Sequence, residues 1–209
     1  MNILIADDHE LLRRGLKGIL AEAFPDVQVQ EAKDAREALA AVGKKPWDLM
    51  LLDINMPGRN GLEVLQDVKR LHPKLPVVML SAFPEQDYAL RAFKLGASGY
   101  VSKESASTEL IAAARKALSG GRYVTAILAE SLAANLAGDT PALPHETLSN
   151  RELQVLRMVA LGKTIKEIAA ELNLSEKTIG TYRARVSQKT GLATNVELAR
   201  YAVRHKLVE

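Results

Sequence analysis

Hydrophobic positions along the first 120 residues follow two alternating rhythms. Residues 3–6, 27–31, 49–53, 77–80 and 99–101 are short apolar runs rich in β-formers, which predict strands. Residues 11–23, 35–42, 62–71, 85–95 and 108–118 repeat apolar side chains at three- and four-residue steps, the spacing of one helix face. Five β-α units in succession, with strands apolar on both faces, predict an α/β fold. Its core would be a doubly wound, five-stranded parallel sheet whose functional groups gather beyond the carboxyl ends of the strands.

The rhythm changes at Gly120-Gly121-Arg122-Tyr123-Val124, which reads as a boundary. Within 125–136, Ile127, Leu128, Leu132 and Leu136 share a helical stripe, and the Gly- and Pro-containing stretch 138–144 is expected to be flexible. After it the pattern is helical throughout. Ser149-x-x-Glu152, Thr164-x-x-Glu167 and Thr194-x-x-Glu197 are capping boxes, and Ser175 can cap a helix starting at Glu176, so four helices are expected. The second and third, 165–172 and 176–190, are separated only by Asn173-Leu174-Ser175, a turn short enough for a helix-turn-helix, with Ala169 permitting close contact. The expected organisation is a first domain at 1–121, a partly helical linker at 122–145 and an all-α four-helix domain at 146–209.

Charge sharpens this division. The formal net charge is +3, but residues after His145 carry 11 Lys and Arg against 7 Asp and Glu, whereas the remainder carries 17 against 18. A polyanion partner for the second domain alone is the reading this favours. With no cysteine, disulfides and thiolate metal sites are excluded, and His9, His72, His145 and His205 lack any short ligand spacing, so a structural zinc is not expected. No apolar stretch approaches a membrane span, and the chain runs from Met1-Asn2 straight into strand-like residues, so a cytoplasmic protein without membrane attachment is expected.

Several strands should deliver polar groups to one rim: Asp7 and Asp8 after the first, Asp53 at the third, Ser81 after the fourth and Lys103 after the fifth. Crowded carboxylates repel one another unless a cation neutralises them, and an oxygen-only cluster suits a hard ion such as Mg²⁺. Lys103 and Ser81 would then hold the oxygens of a phosphoryl group attached to Asp53, which makes Asp53 a nucleophile. Taken singly, each residue also has a plain structural role: Asp7-Asp8 or Ser81 as helix caps, Lys103 as a solvated side chain, Asp53 as a strand end. A nucleotide-binding site is excluded by the lack of a glycine-rich loop after the first strand.

The joint arrangement resembles the receiver domain of bacterial two-component response regulators, a flavodoxin-like fold. The resemblance covers about residues 1–120 and rests on Asp7-Asp8, on Asp53-Ile54-Asn55-Met56-Pro57-Gly58 with Gly61, on Ser81-Ala82 and on Gly96-Ala97-Ser98-Gly99-Tyr100-Val101-Ser102-Lys103. It implies that Asp8, Asp53 and the Asn55 backbone carbonyl bind Mg²⁺ directly, that Asp7 acts through a water, and that Lys103 pairs with the phosphoryl group. The implied reaction is in-line phosphoryl transfer to Asp53 from a sensor histidine kinase or a small phosphodonor. The new charge would draw Ser81 toward the phosphoryl oxygens, and Tyr100 would turn inward behind it. The chain would not be an enzyme toward other substrates, since it catalyses only its own modification. Aspartyl-phosphate phosphatases also use a strand-end Asp with Mg²⁺, but expect a second acid where this chain has Asn55.

On the 176–190 helix, Ile179, Tyr182 and Val186 share the side expected to be buried, and Lys177, Thr181, Ala184, Arg185 and Gln188 form an outward stripe free of acids. Cations for phosphates beside short or hydrogen-bonding side chains suit a helix lying in the major groove of double-stranded DNA. Gly180, beside the stripe, carries a helix-propensity cost that suggests either close backbone approach to DNA or a tolerated defect. Residues 148–156, 162–169 and 174–179 resemble the LuxR-type DNA-binding domain, departing at Thr164-Ile165, where Ser-Asn is common, and at Gly180, where a larger residue is common. The resemblance carries over Lys166, Lys177, Thr178, Arg183, Arg185 and Lys189 as phosphate or groove contacts, with Thr181 and Ala184 facing bases; operator specificity does not carry over. Receiver followed by this helix-turn-helix is similar to the NarL/FixJ class of response regulators. That similarity implies a transcription regulator in which phosphorylation shifts the population toward a homodimer on two half-sites, the inactive state being held either by occlusion of the recognition helix or by failure to dimerise. The alternative is a DNA-binding or protein-interaction regulator that works independently of phosphorylation.

Overall fold

A computed structural model of the chain describes residues 1–56, 59–82, 85–104, 107–126, 128–130, 133, 143–205 and 207–208. Two compact units result, Met1–Ala137 and Gly138–Glu209.

The first unit is the five-stranded parallel sheet that the hydrophobic pattern demands. Its strands are β1 (Asn2–Ala6), β2 (Gln28–Ala32), β3 (Leu49–Asp53), β4 (Val77–Ser81) and β5 (Gly99–Ser102), in the order β2-β1-β3-β4-β5. The intervening helices are α1 (Glu10–Ala23), α2 (Ala35–Val42), α3 (Gly61–Leu71), α4 (Glu85–Lys94) and α5 (Ser107–Leu118). β3 and β4 are buried at every residue because they lie centrally and are covered on both faces. β2 lies at the edge and alternates exposed with covered residues, a polar rim that discourages further strand pairing. It also sits one residue later than expected: pairing with β1 fixes Asn2 opposite Gln28 and Ala6 opposite Ala32, so register decides the boundary rather than local apolarity.

The pleat sorts the core into two layers. Ile3, Ile5, Leu49, Leu51, Val78, Leu80 and Val101 pack with Leu16 and Leu20 of α1 and Leu110, Ala113 and Ala117 of α5. Their alternating neighbours Leu4, Met50, Leu52, Met79 and Tyr100 are equally buried on the opposite face of the sheet. Two local devices hold α3 against the strand that ends in Asp53. Asn60 caps α3 by accepting the Leu62 N–H at 2.8 Å. Gly61 then donates to the Ile54 carbonyl at 2.8 Å, and a Cβ there would fall 1.9 Å from the Asp53 carbonyl oxygen, so only glycine permits this approach.

Of the expected linker stripe, Leu128 is buried, its N–H bound to Thr125 Oγ1 at 3.2 Å; Ile127, Leu132 and Leu136 lie outside the described residues. Of the stretch expected to be flexible, 138–142 likewise lie outside them, whereas Pro144 opens a short 3₁₀ turn, Pro144–Thr147. Four helices follow: α6 (Asn150–Ala160), α7 (Ile165–Leu172), α8 (Glu176–Thr190) and α9 (Asn195–Arg204). The three capping boxes form as the spacing requires, at Ser149 with Glu152, Thr164 with Glu167 and Thr194 with Glu197. Between α7 and α8, Asn173 takes the left-handed conformation (φ 53°) and Leu174 N–H returns to the Ala169 carbonyl at 2.9 Å, closing α7. Ser175 then starts α8 by accepting the Thr178 N–H at 3.1 Å. One left-handed residue and one cap thus make the whole turn of the helix-turn-helix. No described helix is long and apolar enough to cross a membrane.

Candidate functional site

Parallel strands ending at a common edge bring the acids together. Asp7 follows β1, tied to the edge strand by its own N–H on the Ala32 carbonyl at 3.1 Å; Asp53 ends β3; Ser81 ends β4. Lys103 directly follows β5, and its N–H reaches the Ser81 carbonyl at 2.7 Å. Its ammonium lies 2.8 Å from Asp7 Oδ2 and 2.9 Å from Asp53 Oδ2, and both carboxylates are fully buried. Asp8 stands at the exposed side of the same cluster.

The electrostatics follow from that burial. Desolvation pushes the Asp53 carboxyl up to about 6; the Lys103 charge pulls it down, Asp7 adds repulsion, and the Asn55 N–H contributes a smaller downward pull. Asp53 Oδ1 has no well-aligned hydrogen-bond partner. Burial works to lower the Lys103 pKa, but the attraction of Asp53 and Asp7 outweighs it and holds the ammonium above its ordinary value. Two buried carboxylates therefore share a single ammonium, which leaves an excess of negative charge at the rim.

Neither Asp7 nor Asp8 caps α1: the N-cap is His9, whose side chain makes no cap bond, and Asp7 Oδ1 instead accepts the His9 N–H at 2.8 Å. Two residues at the rim were not singled out by sequence reasoning. The His9 imidazole Nδ1 lies 2.8 Å from Asp8 Oδ1 and 3.2 Å from Asp7 Oδ1, and ligand atoms of Asp7, Asp8, His9 and Asp53 all fall within 4.8 Å of one another. Its adjacency to the acid pair was the available signal. Arg13 donates to the Asp7 backbone carbonyl at 2.8 Å while pairing with Glu31 at 3.1 Å, fixing the turn after β1; an arginine one turn into a helix carries no such mark in the sequence. Ser81 is buried beside Asp53, Asn55 is half-buried, and Pro57 and Gly58 lie outside the described residues. Tyr100, on β5, is buried, with its side chain only 2% exposed.

In the second unit the outward stripe of α8 is as expected. Lys177, Thr181, Ala184, Arg185 and Gln188 are all exposed, Ile179 and Val186 are fully buried, and Tyr182 is half-buried. Thr181 Oγ1 folds back onto the Lys177 carbonyl at 3.0 Å, and Thr178 Oγ1 lies 2.8 Å from Ser175 Oγ at the helix start. Lys166 is exposed on α7. Arg183 and Lys189 are employed differently. The Arg183 guanidinium binds Asn195 Oδ1 at 3.1 Å, the Ala193 carbonyl at 2.9 Å and Ser187 Oγ, pinning the turn into α9. Lys189 Nζ lies 2.6 Å from the buried Glu152 carboxylate. Burial works to raise the Glu152 pKa, but Lys189 and the Ser149 amide hold it below its ordinary value.

Comparison with known proteins agrees with both units. The response regulator receiver domain family matches residues 3–115, and the luxR family of bacterial regulatory proteins matches residues 146–202. Response regulator UvrY of Escherichia coli is 35% identical over 99% of this chain and 95% of its own length. Response regulator GacA of Pseudomonas aeruginosa is 33% identical over 100% of this chain and 98% of its own. Among solved structures, RcsB of Salmonella enterica serovar Typhimurium, bound to promoter rprA in the presence of the phosphomimetic BeF₃⁻, is similar at a TM-score of 0.65 and 29% identity, covering 96% of this chain and 97% of that one. A parallel sheet with an acid pair, acid, hydroxyl and lysine at successive strand ends, followed by a four-helix domain with an exposed cationic recognition helix, places this chain in the NarL/FixJ class of two-component response regulators, with a receiver domain and a LuxR-type DNA-binding domain.

Proposed function

We propose that Asp53 is the phosphoacceptor, taking a phosphoryl group from a sensor histidine kinase or a small phosphodonor. The observation that carries this is the Lys103 ammonium held between two fully buried carboxylates, Asp7 and Asp53, at a rim that Asp8 leaves open to solvent. An Asp53 oxygen attacks phosphorus, and the bond from phosphorus to the donor nitrogen or oxygen breaks, the leaving atom keeping the electron pair. Lys103 follows the charge: it neutralises Asp53 beforehand and stays within reach of the phosphoryl oxygens afterwards, while the Ser81 hydroxyl donates to them. The cluster also fits a hard divalent cation, since its oxygens outnumber the one ammonium and Asp53 Oδ1 lacks a well-aligned partner. Mg²⁺ would be held by Asp8, Asp53 and the Asn55 carbonyl, with Asp7 acting through a water, and would neutralise charge on the transferred group.

The chemistry serves only the chain's own Asp53, and the product is a signal. A charge of about −1.5 to −2 on Asp53 favours a homodimer whose two α8 helices enter successive half-sites of double-stranded DNA in the cytoplasm. Lys177 and Arg185, with Lys166 on α7, would contact phosphates, Thr181, Ala184 and Gln188 would approach base edges, and Thr178 would stand at the groove entrance. Arg183 and Lys189 build the domain that presents them.

Incubation with acetyl phosphate and Mg²⁺ should add the mass of one phosphoryl group to the full-length protein and none to Asp53→Asn. A stable gain of equal size in the variant would remove Asp53 from the role.

A further inference from the structure

The receiver sheet has a second rim. At the amino-terminal ends of β4 and β5, Lys69, Lys74, Ser98 and Arg122 line a concavity of about 360 Å³. A five-residue strand places this edge about 17 Å from the Asp53 rim, too far for the two to share a ligand. Lys69 comes from the last turn of α3, and its stem runs along Gly96, whose φ of +96° and missing Cβ leave that path open, the nearest Lys69 carbon lying 3.4 Å from where a Cβ would stand. The Lys69 ammonium is held in place by the Leu75 carbonyl at 2.6 Å, a bond that uses one of its three donors.

No Asp or Glu is among the described residues that line this concavity, and among them neither Lys69, Lys74 nor Arg122 enters an ion pair. Burial, and after it the charge of Arg122, hold Lys69 below its ordinary pKa, so the two cations are close enough to repel. A backbone carbonyl explains where Lys69 points, but it does not relieve the repulsion between Lys69 and Arg122 on a concave wall that Lys74 also lines; an anion does.

We propose that this concavity binds a small phosphorylated anion, its oxygens taking the free donors of Lys69, Lys74, Arg122 and the Ser98 hydroxyl. Its volume falls in the range of small-ligand sites, and its wall includes Gly121 and Arg122, where the chain leaves α5. An occupied site therefore fixes the start of the segment that leaves the receiver.

Pyrophosphate titrated calorimetrically into the full-length protein, without Mg²⁺, is the test. Saturable one-to-one uptake is expected in the parent and in Asp53→Asn, weakened about fivefold or more in Lys74→Ala/Arg122→Ala, two exposed positions whose loss leaves the core intact. No saturable uptake, or uptake of equal strength in the double variant, overturns the assignment. A second arm measures binding to a nonspecific DNA duplex, which the double variant should leave unchanged. If duplex binding falls in step with pyrophosphate binding, the cations belong to a DNA-contacting face and the small-anion site is refuted.

Discussion

Lys103→Ala isolates the electrostatic balance on which the phosphoacceptor rim depends. The ammonium is 2.8 Å and 2.9 Å from oxygens of Asp7 and Asp53, so it neutralises the same charge that a divalent cation would neutralise, and the two would compete. A unit charge about 5 Å from a divalent cation repels it by roughly 2–7 kcal/mol for effective dielectrics between about 80 and 20. Relaxation of the acids and entry of water absorb much of this, so the lower figure is the one to use. It corresponds to Mg²⁺ binding at least about tenfold tighter in the variant. A proton opposes the gain: Asp53 already titrates at about 6, and losing Lys103 raises it further, so calorimetry belongs at pH 8. In metal-free buffer the variant should also unfold at lower temperature, because two buried carboxylates lose their counter-ion, while saturating Mg²⁺ recovers most of the difference. Phosphorylation by acetyl phosphate should fall in the same variant, since tighter metal binding does not replace the positive charge next to the phosphoryl oxygens. An Mg²⁺ affinity at pH 8 that is unchanged or weaker, in protein with unaltered circular dichroism, would refute the competition between ammonium and metal.

Acidity should act on the same site through Asp53. Because its folded pKa of about 6 stands above the ordinary 3.8, Asp53 stabilises the metal-free fold most below pH 3.8, and this contribution is lost as pH rises through 6. Mg²⁺ held at this rim would reverse the sign by requiring the carboxylate, so its effect on melting temperature should be larger at pH 7.5 than at pH 5, where its affinity should be about tenfold weaker; a pH-independent effect would place the metal elsewhere. On α8, Lys177→Ala or Arg185→Ala should weaken duplex binding and reduce the slope of log K against log salt by about one, leaving phosphorylation intact, and an unchanged slope would remove that helix as the DNA surface.

The sheet, its order of elements and the acidic rim were legible in the sequence because each rests on a local signal: β3 and β4 are apolar up to their last residues, Asp53 and Ser81, and a polar group closing an apolar run marks a strand end. What escaped the sequence is whatever depends on partners distant in the chain. The boundary of β2 follows its register with β1, Arg13 pairs with Glu31 of β2, 18 residues on, and Lys189 finds Glu152, 37 residues back, inside its own domain. A helical wheel shows only that a cation faces outward from its own axis; it does not show whether a neighbouring carboxylate waits there.

Gly180 is where sequence and structure together yield more than either. The sequence left two readings, close backbone approach to DNA or a tolerated defect. The structure removes a third, packing within the domain, because a Cβ at Gly180 would meet nothing within 4 Å. A helix-interior glycine that no neighbour requires costs up to about 1 kcal/mol relative to alanine, and its position beside the exposed stripe puts the missing side chain on the approach to the groove. Gly180→Ala should therefore stabilise the second domain by up to about that amount while weakening duplex binding. Stabilisation with unchanged DNA affinity would show that the backbone does not come close at this point, and that the recognition surface is carried by the side chains of Lys177, Thr181, Ala184, Arg185 and Gln188 alone.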